Sequence, residues 1–109
     1  MTFDDYQKKS RKTVIYPTPG KNYLFPTLGL IGEAGELANY IKKVVRDKNN
    51  KLDAETRLVL VKELGDVLWY MAQLCKEMKI SFSDLASQNL EKVLSRLKRG
   101  TLHGSGDNR

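Results

Sequence analysis

The chain has 109 residues, of which 40% are hydrophobic and 29% charged, a composition typical of a globular protein and not of a disordered one. Its formal net charge of +6 indicates an anionic partner, without choosing among nucleotides, nucleic acids and acidic surfaces. A single cysteine, Cys75, excludes an intrachain disulfide. The length favours one domain over residues 1–109, with an N-terminal helix and loop at 1–20 and a polar tail at 101–109.

Targeting signals are not apparent in the sequence. The first residues, Met1–Asp5, do not combine a basic region with an apolar run, so no signal peptide is expected. No apolar run approaches the roughly 18 residues that a membrane span needs. We therefore expect no membrane partner and a cytoplasmic location.

The first two predicted helices are delimited by caps and prolines. Thr2 and Asp5 have the spacing of a capping box, and the helix that they open ends before Pro17. Pro26 fits the first turn of a second helix, where its missing N–H costs little. Apolar residues at helical spacing continue this helix to about Arg46.

Two further helices complete the predicted fold. Asp53 is a good N-cap for a third helix that reaches about Met78 and is apolar on most sides, which is typical of a central helix or of one that packs on a second subunit. Ser81 with Asp84 opens a fourth helix, which Gly100 ends. No strand pattern appears, so the sequence predicts an all-α fold, a four-helix bundle completed by oligomerisation.

One acidic pattern occurs in both central helices. Each copy has two acids three residues apart, a glycine between them and a tyrosine seven residues after the first acid. Residues three apart share one face of a helix. The copies consist of Glu33, Gly35, Glu36 and Tyr40, and of Glu63, Gly65, Asp66 and Tyr70. Such acids are usually a solvated face that pairs with lysines, but the repetition of the whole pattern favours a shared metal site.

The chemistry of these side chains restricts the metal. Oxygen-only sites suit Mg²⁺, Mn²⁺ or Ca²⁺. The only histidine, His103, lies in the tail, which disfavours a di-iron centre with its Glu-x-x-His pairs, and zinc lacks its usual cysteine and histidine set. Since Mg²⁺ commonly binds a few carboxylates together with substrate phosphates, a phosphorylated small molecule is the expected ligand.

The repeated glycines, Gly35 and Gly65, reduce the stability of the helices that contain them. Glycine in a helix interior is about 0.5–1 kcal/mol less favourable than alanine. A cost at equivalent places in two helices indicates either a close approach between them or room for a ligand.

A basic stripe is predicted on the fourth helix. Asn89, Lys92 and Arg96 follow one another at spacings of three and four residues, so they lie on one side of the helix. They could bind phosphate and a base or sugar, or be an ordinary solvated face. The tail that ends with Arg109 could be a flexible terminus or a flap over a phosphate.

These residues together resemble the MazG-like nucleoside triphosphate pyrophosphohydrolases. The segments Gly32–Leu37 and Glu63–Asp66 are similar to the family's paired Glu-x-x-Glu and Glu-x-x-Asp signature, and Asn89-x-x-Lys92-x-x-x-Arg96 resembles its third element. The resemblance implies an all-α, Mg²⁺-dependent enzyme that cleaves nucleoside triphosphates to monophosphate and pyrophosphate, as a homodimer or homotetramer. Many members have a glutamate where this chain has Gly32.

The resemblance also implies roles for single residues. Lys92 and Arg96 would contact phosphate and Asn89 would contact substrate. Glu36 and Glu63 are the candidate catalytic residues; one carboxylate, with Glu36 as the first candidate, would orient the attacking water. Lys92, Arg96 and Arg109 would stabilise charge on the leaving group. The implied metal ligands, for Mg²⁺ or Mn²⁺, are Glu33, Glu36, Glu63 and Asp66.

Two alternatives stay open at this point. One is a related activity of the same superfamily, on phosphoribosyl-ATP or on dUTP and dCTP. The other is a non-catalytic basic helical dimer that binds nucleic acid or a protein, which predicts salt-dependent binding without release of pyrophosphate. Nucleic acid is the less favoured partner, because lysines and arginines are spread along the chain and not gathered in one block.

Overall fold

The computed structural model describes all 109 residues and contains no strand. A single 3₁₀ turn, Arg11–Thr13, follows the first helix. The α-helices are α1 (Phe3–Ser10), α2 (Leu24–Asp47), α3 (Ala54–Glu77) and α4 (Phe82–Arg99). The expected all-α, four-helix architecture is therefore confirmed. No helix of the chain combines the length and the apolar character that crossing a membrane requires.

Local caps explain where the helices begin and end. The Thr2 hydroxyl accepts from the Asp5 N–H, and the Asp5 carboxylate accepts from the Thr2 N–H, both at 3.0 Å. Asp53 caps α3 and Ser81 caps α4 through the same kind of side-chain bond to a backbone N–H. At the end of α4, Gly100 has a φ of +70°, a left-handed conformation that glycine adopts without strain.

Helices α2 and α3 form an αα-hairpin that carries most of the tertiary packing. Their close approach occurs at Gly29, where an added Cβ would collide with the ring of Tyr70. An added Cβ at Gly35 or Gly65 would meet nothing within 4 Å. The close approach proposed for those two glycines is thus absent, and the alternative explanation, open space beside them, matches the structure.

A small core lies where α1, α3 and the start of α4 meet. Ala72, Cys75 and Phe82 are buried together there. The side chain of Gln7 also lies in this region, and its Nε2 donates to the carbonyl oxygens of Ala72 at 3.3 Å and Ile80 at 3.0 Å. Since a buried amide is costly unless bonded, these contacts fix α1 against α3.

The buried carboxylate of Glu77 holds the N-terminal segment against the end of α3. It accepts hydrogen bonds from Arg11 and the Tyr16 hydroxyl, both at 2.7 Å, and from two backbone N–H groups, those of Gly20 at 2.9 Å and Asn22 at 2.8 Å. Burial by itself would raise the pKa of Glu77, but these bonds lower it to about 2. The loop between α1 and α2 is therefore anchored beside α3.

One chain leaves much of its apolar surface uncovered. Only 10 residues are buried, and the radius of gyration is 16.7 Å, against about 13 Å for a compact chain of this length. The accessible surface is 8151 Å², against about 6,100 Å² for a compact protein of this mass. The exposed apolar side chains of the helices include Leu28, Ile31, Val45, Leu58, Val61, Leu64, Leu90, Leu94 and Leu97.

Candidate metal centre

Three of the four acids predicted as metal ligands converge between α2 and α3. Glu33, Glu36 and Glu63 each offer a carboxylate oxygen, and these oxygens all lie within 4.8 Å of one another. Glu33 and Glu63 are half-buried and Glu36 is exposed. The spacing of three residues brings the two glutamates of α2 to one face, and the packing of the hairpin brings Glu63 to meet them.

The fourth acid, Asp66, lies at the edge of this group. It is exposed and outside the set of converging oxygens, but it lines one cavity with Glu33. Burial raises the pKa of Glu33, and the charges of Glu36, Asp66 and Glu63 raise it further. The charges of the other three acids thus all act on Glu33.

No cation of the protein neutralises this acidic group. The ion pairs of the chain involve Glu77, Asp47, Asp53 and Asp107 as their acids, so the repulsion between the converging carboxylates is uncompensated. The atoms that these carboxylates offer to a metal are all oxygens. Oxygen ligands suit hard divalent cations such as Mg²⁺ or Mn²⁺. Two ligands of one Mg²⁺ ion lie at most about 4.2 Å apart, so small side-chain rotations would suffice.

A cavity of about 300 Å³ adjoins the acids. Glu33 and Asp66 line one part of it, and Thr13, Trp69 and Tyr70 line the rest. The indole N–H of Trp69 donates to the Thr13 hydroxyl at 2.8 Å, and the rings of Trp69 and Tyr70 meet edge to face at 5.0 Å. The cavity therefore combines carboxylates with aromatic surface, as a ligand with a polar and a planar part requires.

Thr13 and Trp69 were not predicted from the sequence to belong to this site. One signal was present for Trp69, because it follows Asp66 by three residues and so shares its face of α3. For Thr13 there was none, because it reaches the site through the loop that Glu77 anchors. A larger groove of about 500 Å³ runs between α1, α3 and α4, but it is apolar and no carboxylate lines it.

The basic stripe of α4 is not joined to the acids by any ion pair within the chain. Asn89 lines an apolar cavity that Leu68 and Met71 of α3 also line. Lys92 and Arg96 instead contact Asp107 of the tail, with the Lys92 amine 3.3 Å from its carboxylate. Lys92 and Arg96 thus face the chain's own tail, whereas Asn89 lies beside α3.

Arg109 also takes part in this folded tail. Its guanidinium donates to three backbone carbonyls, those of Thr101 at 3.2 Å, Leu102 at 3.0 Å and Gly106 at 2.6 Å. The proposed contact of Arg109 with substrate stays a prediction, since it would require these bonds to open.

The chain is similar to known proteins over most of its length. The family model described as the MazG nucleotide pyrophosphohydrolase domain matches residues 24–101. The "Gene 37 protein" of Mycobacterium phage L5 is 45% identical over 114 aligned residues that cover the whole of both chains. No solved structure matches the chain significantly. The match with residues 24–101 spans most of the chain, so this chain belongs to the MazG nucleotide pyrophosphohydrolase domain family.

Proposed function

We propose that the protein hydrolyses nucleoside triphosphates, or deoxynucleoside triphosphates, to nucleoside monophosphate and pyrophosphate with the help of Mg²⁺ or Mn²⁺. The observation that carries this proposal is the convergence of Glu33, Glu36 and Glu63 without a neutralising cation, beside a cavity of about 300 Å³. Membership of the family supports the same reaction.

The acids would hold the metal. Glu33, Glu36 and Glu63 supply its carboxylate oxygens, and Asp66 reaches the same cavity from α3. When bound, a divalent cation neutralises phosphate charge and makes water more acidic. Glu33 and Glu63 are half-buried, and Glu33 also lines the cavity.

The reaction needs a base and a group that stabilises the leaving pyrophosphate. Glu36, the most exposed of the three converging acids, orients the attacking water and accepts its proton, with Glu63 as the alternative base. The water oxygen forms a bond to the α-phosphorus as the bond from that phosphorus to the bridging oxygen breaks. Lys92 and Arg96 bind the negative charge of the pyrophosphate that leaves.

The nucleoside would occupy the aromatic part of the cavity. Trp69 and Tyr70 offer rings against which a base or sugar packs, and the Thr13 hydroxyl offers a polar contact at the rim. This position leaves the polyphosphate next to the acids.

A homodimer or homotetramer would complete the site. Lys92 and Arg96 are not joined to the acids within one chain, and the leucines of α4 are exposed. A second copy that covers those leucines would bury apolar surface and could bring a basic stripe to an acidic group. Uncovered apolar side chains on α2, α3 and α4 also fit the excess of about 2,000 Å² in the surface of one chain over that of a compact protein of its mass.

Pyrophosphate release from a panel of nucleotides, with and without Mg²⁺, tests this function. The panel includes phosphoribosyl-ATP, dUTP and dCTP, which separates the related activities. We expect release only with the metal, and at least about a 100-fold loss in Glu63→Gln, because a ligand and candidate base is removed. The matched control, Glu55→Gln, removes an exposed acid from the first turn of the same helix and should keep full activity.

A second readout follows metal binding without turnover. Mg²⁺ should raise the melting temperature of the wild type, because it binds only the native state, and should have little effect on Glu63→Gln. Without metal, the variant should be as stable as the wild type or more so, since it relieves repulsion. Full turnover in Glu63→Gln, or release that does not depend on a metal, would refute the assignment.

A further inference from the structure

The tail after Gly100 folds back onto α4 and presents one acid to the basic stripe. The carboxylate of Asp107 lies 3.3 Å from the Lys92 amine and 3.5 Å from Arg96 Nη2. Arg96 Nη2 also donates to the Asp107 carbonyl oxygen at 2.8 Å. One residue of the tail thus engages both cations of the stripe.

Asp107 uses the same donors that a phosphate would use. Carboxylate and phosphate oxygens both accept charge-assisted hydrogen bonds from lysine and arginine. Arg96 is nine-tenths buried, and the only hydrogen-bond partners of its guanidinium in the chain belong to Asp107. A buried guanidinium with no other anion nearby is a built anion site, and the tail fills it.

The tail satisfies this anion site incompletely. Arg96 Nε is buried without a hydrogen-bond partner, and so is the Thr101 hydroxyl at the start of the tail. An unmet buried hydrogen bond is unfavourable. A phosphate has oxygens for both Nε and Nη2 of one arginine, so it would satisfy a donor that the tail leaves unused.

The contacts of the tail are also weak enough to open. In the ion pair of Lys92 with Asp107 the side chains are 40% and 85% exposed, and exposed ion pairs stabilise little. Two further hydrogen bonds join the tail to α4: the Thr101 N–H donates to the Arg96 carbonyl at 2.8 Å, at the point where the tail begins, and Arg99 donates to the Arg109 carbonyl at 3.0 Å. Arg109 binds carbonyls within the tail itself, so the tail can lift as one unit.

We propose that the tail is an intramolecular competitor of the substrate's phosphates: Asp107 occupies Lys92 and Arg96 until a polyphosphate displaces it. This inference rests on the proposed function, because that function makes the two cations the site of the leaving pyrophosphate. The tail then lowers the affinity for substrate and for pyrophosphate alike. The lowered pKa of Asp107, caused by Lys92 and then Arg96, keeps it charged for this role.

Calorimetric titration with inorganic pyrophosphate in the presence of Mg²⁺ tests the competition without turnover. We expect Asp107→Asn to bind pyrophosphate about two- to five-fold more tightly than the wild type, the range that the loss of an exposed ion pair allows. Asp107→Glu keeps the charge and should bind like the wild type. The matched control is Glu91→Gln, which removes the same charge from the exposed side chain next to Lys92 and should show no comparable gain.

Kinetics give the second readout. The KM of Asp107→Asn for the best nucleotide should fall by a similar factor with kcat unchanged, because only the competitor is removed. If the wild type releases no pyrophosphate from any nucleotide while the binding gain of Asp107→Asn persists, the proposed hydrolysis fails and the competition stands. If Asp107→Asn binds no better than the wild type, gains no more than Glu91→Gln, or if no variant binds pyrophosphate, the competition is refuted.

Discussion

Two kinds of carboxylate in this chain differ by their partners. Glu77 is buried and accepts four hydrogen bonds, which hold its pKa at about 2. The pKa of Glu33 is raised, first by burial and then by the charges of three neighbouring acids, and no hydrogen bond contributes to this shift. A lowered pKa with bonded partners identifies an acid that stabilises the fold. A raised pKa within a group of unpaired acids identifies a candidate functional site.

Glu77→Gln should destabilise the protein in a pH-dependent way. The pKa falls from 4.5 to about 2 on folding, which corresponds to about 3 kcal/mol at about 1.4 kcal/mol per unit. Because the folded pKa is the lower one, this stabilisation is complete above pH 4.5 and is lost as the pH falls toward 2. Urea unfolding should therefore show a destabilisation relative to the wild type that is about half as large at pH 3 as at pH 7, and smaller still toward pH 2.

The control for this residue is the exposed Glu55, whose replacement in Glu55→Gln should change stability by less than about 0.5 kcal/mol at either pH. An equal loss of stability for Glu77→Gln at both values would mean that packing, and not the charge of Glu77, anchors the N-terminal loop.

At the scale of the helices, the α2–α3 hairpin positions both the acids and the cavity beside them. The two helices approach closely at Gly29 and Tyr70, and Tyr70 lines that cavity together with Glu33 and Asp66. Since the ring of Tyr70 also rests edge-on against Trp69, the spacing of the two helices and the shape of the cavity depend on one another.

Gly29→Ala should therefore reduce both stability and activity. The added methyl group has no room beside the Tyr70 ring, and overpacking of this kind costs about 1–3 kcal/mol. Gly32→Ala is the matched control, because an added Cβ there meets nothing within 4 Å and should stabilise α2 by about 0.5–1 kcal/mol. Urea unfolding and pyrophosphate release on both variants give the comparison, and equal stability of the two would contradict the close contact.

At the scale of the whole molecule, the chain is too extended for its length and leaves apolar side chains in solvent. Its radius of gyration is 16.7 Å, and Val61 of α3 is 66% exposed. Open space also lies beside Gly35 of α2 and Gly65 of α3. Another helix could approach there. The expected completion of the bundle by a second copy stays a prediction.

Val61→Glu should weaken self-association. A charge placed in an apolar interface costs at least about 2 kcal/mol, or about 30-fold in the dissociation constant. Ile15→Glu makes the same change at a position that is 96% exposed on the N-terminal loop and should leave association unchanged. Sedimentation velocity over a range of concentrations measures both, and a wild type that sediments as a monomer throughout would refute the proposed oligomer.

The sequence by itself determined the helices and the faces that carry chemistry. Caps such as Thr2 with Asp5, and apolar residues at helical spacing, act within a few residues, so local rules suffice to place the elements. The same spacing predicted that Glu33 and Glu36 share a face, and the repeat in α3 predicted the acid that meets them. These features depend on neighbours along the chain and not on how the helices pack.

Only the tertiary structure decided which side chains meet across long separations. It placed Asp66 at the edge of the acidic group, added Thr13 and Trp69 to the cavity, and set Asp107 on the cations of α4. Each of these contacts depends on the rotation and distance of one element relative to another. Helical periodicity fixes the face of a side chain but not what that face packs against, which is why no local pattern could supply them.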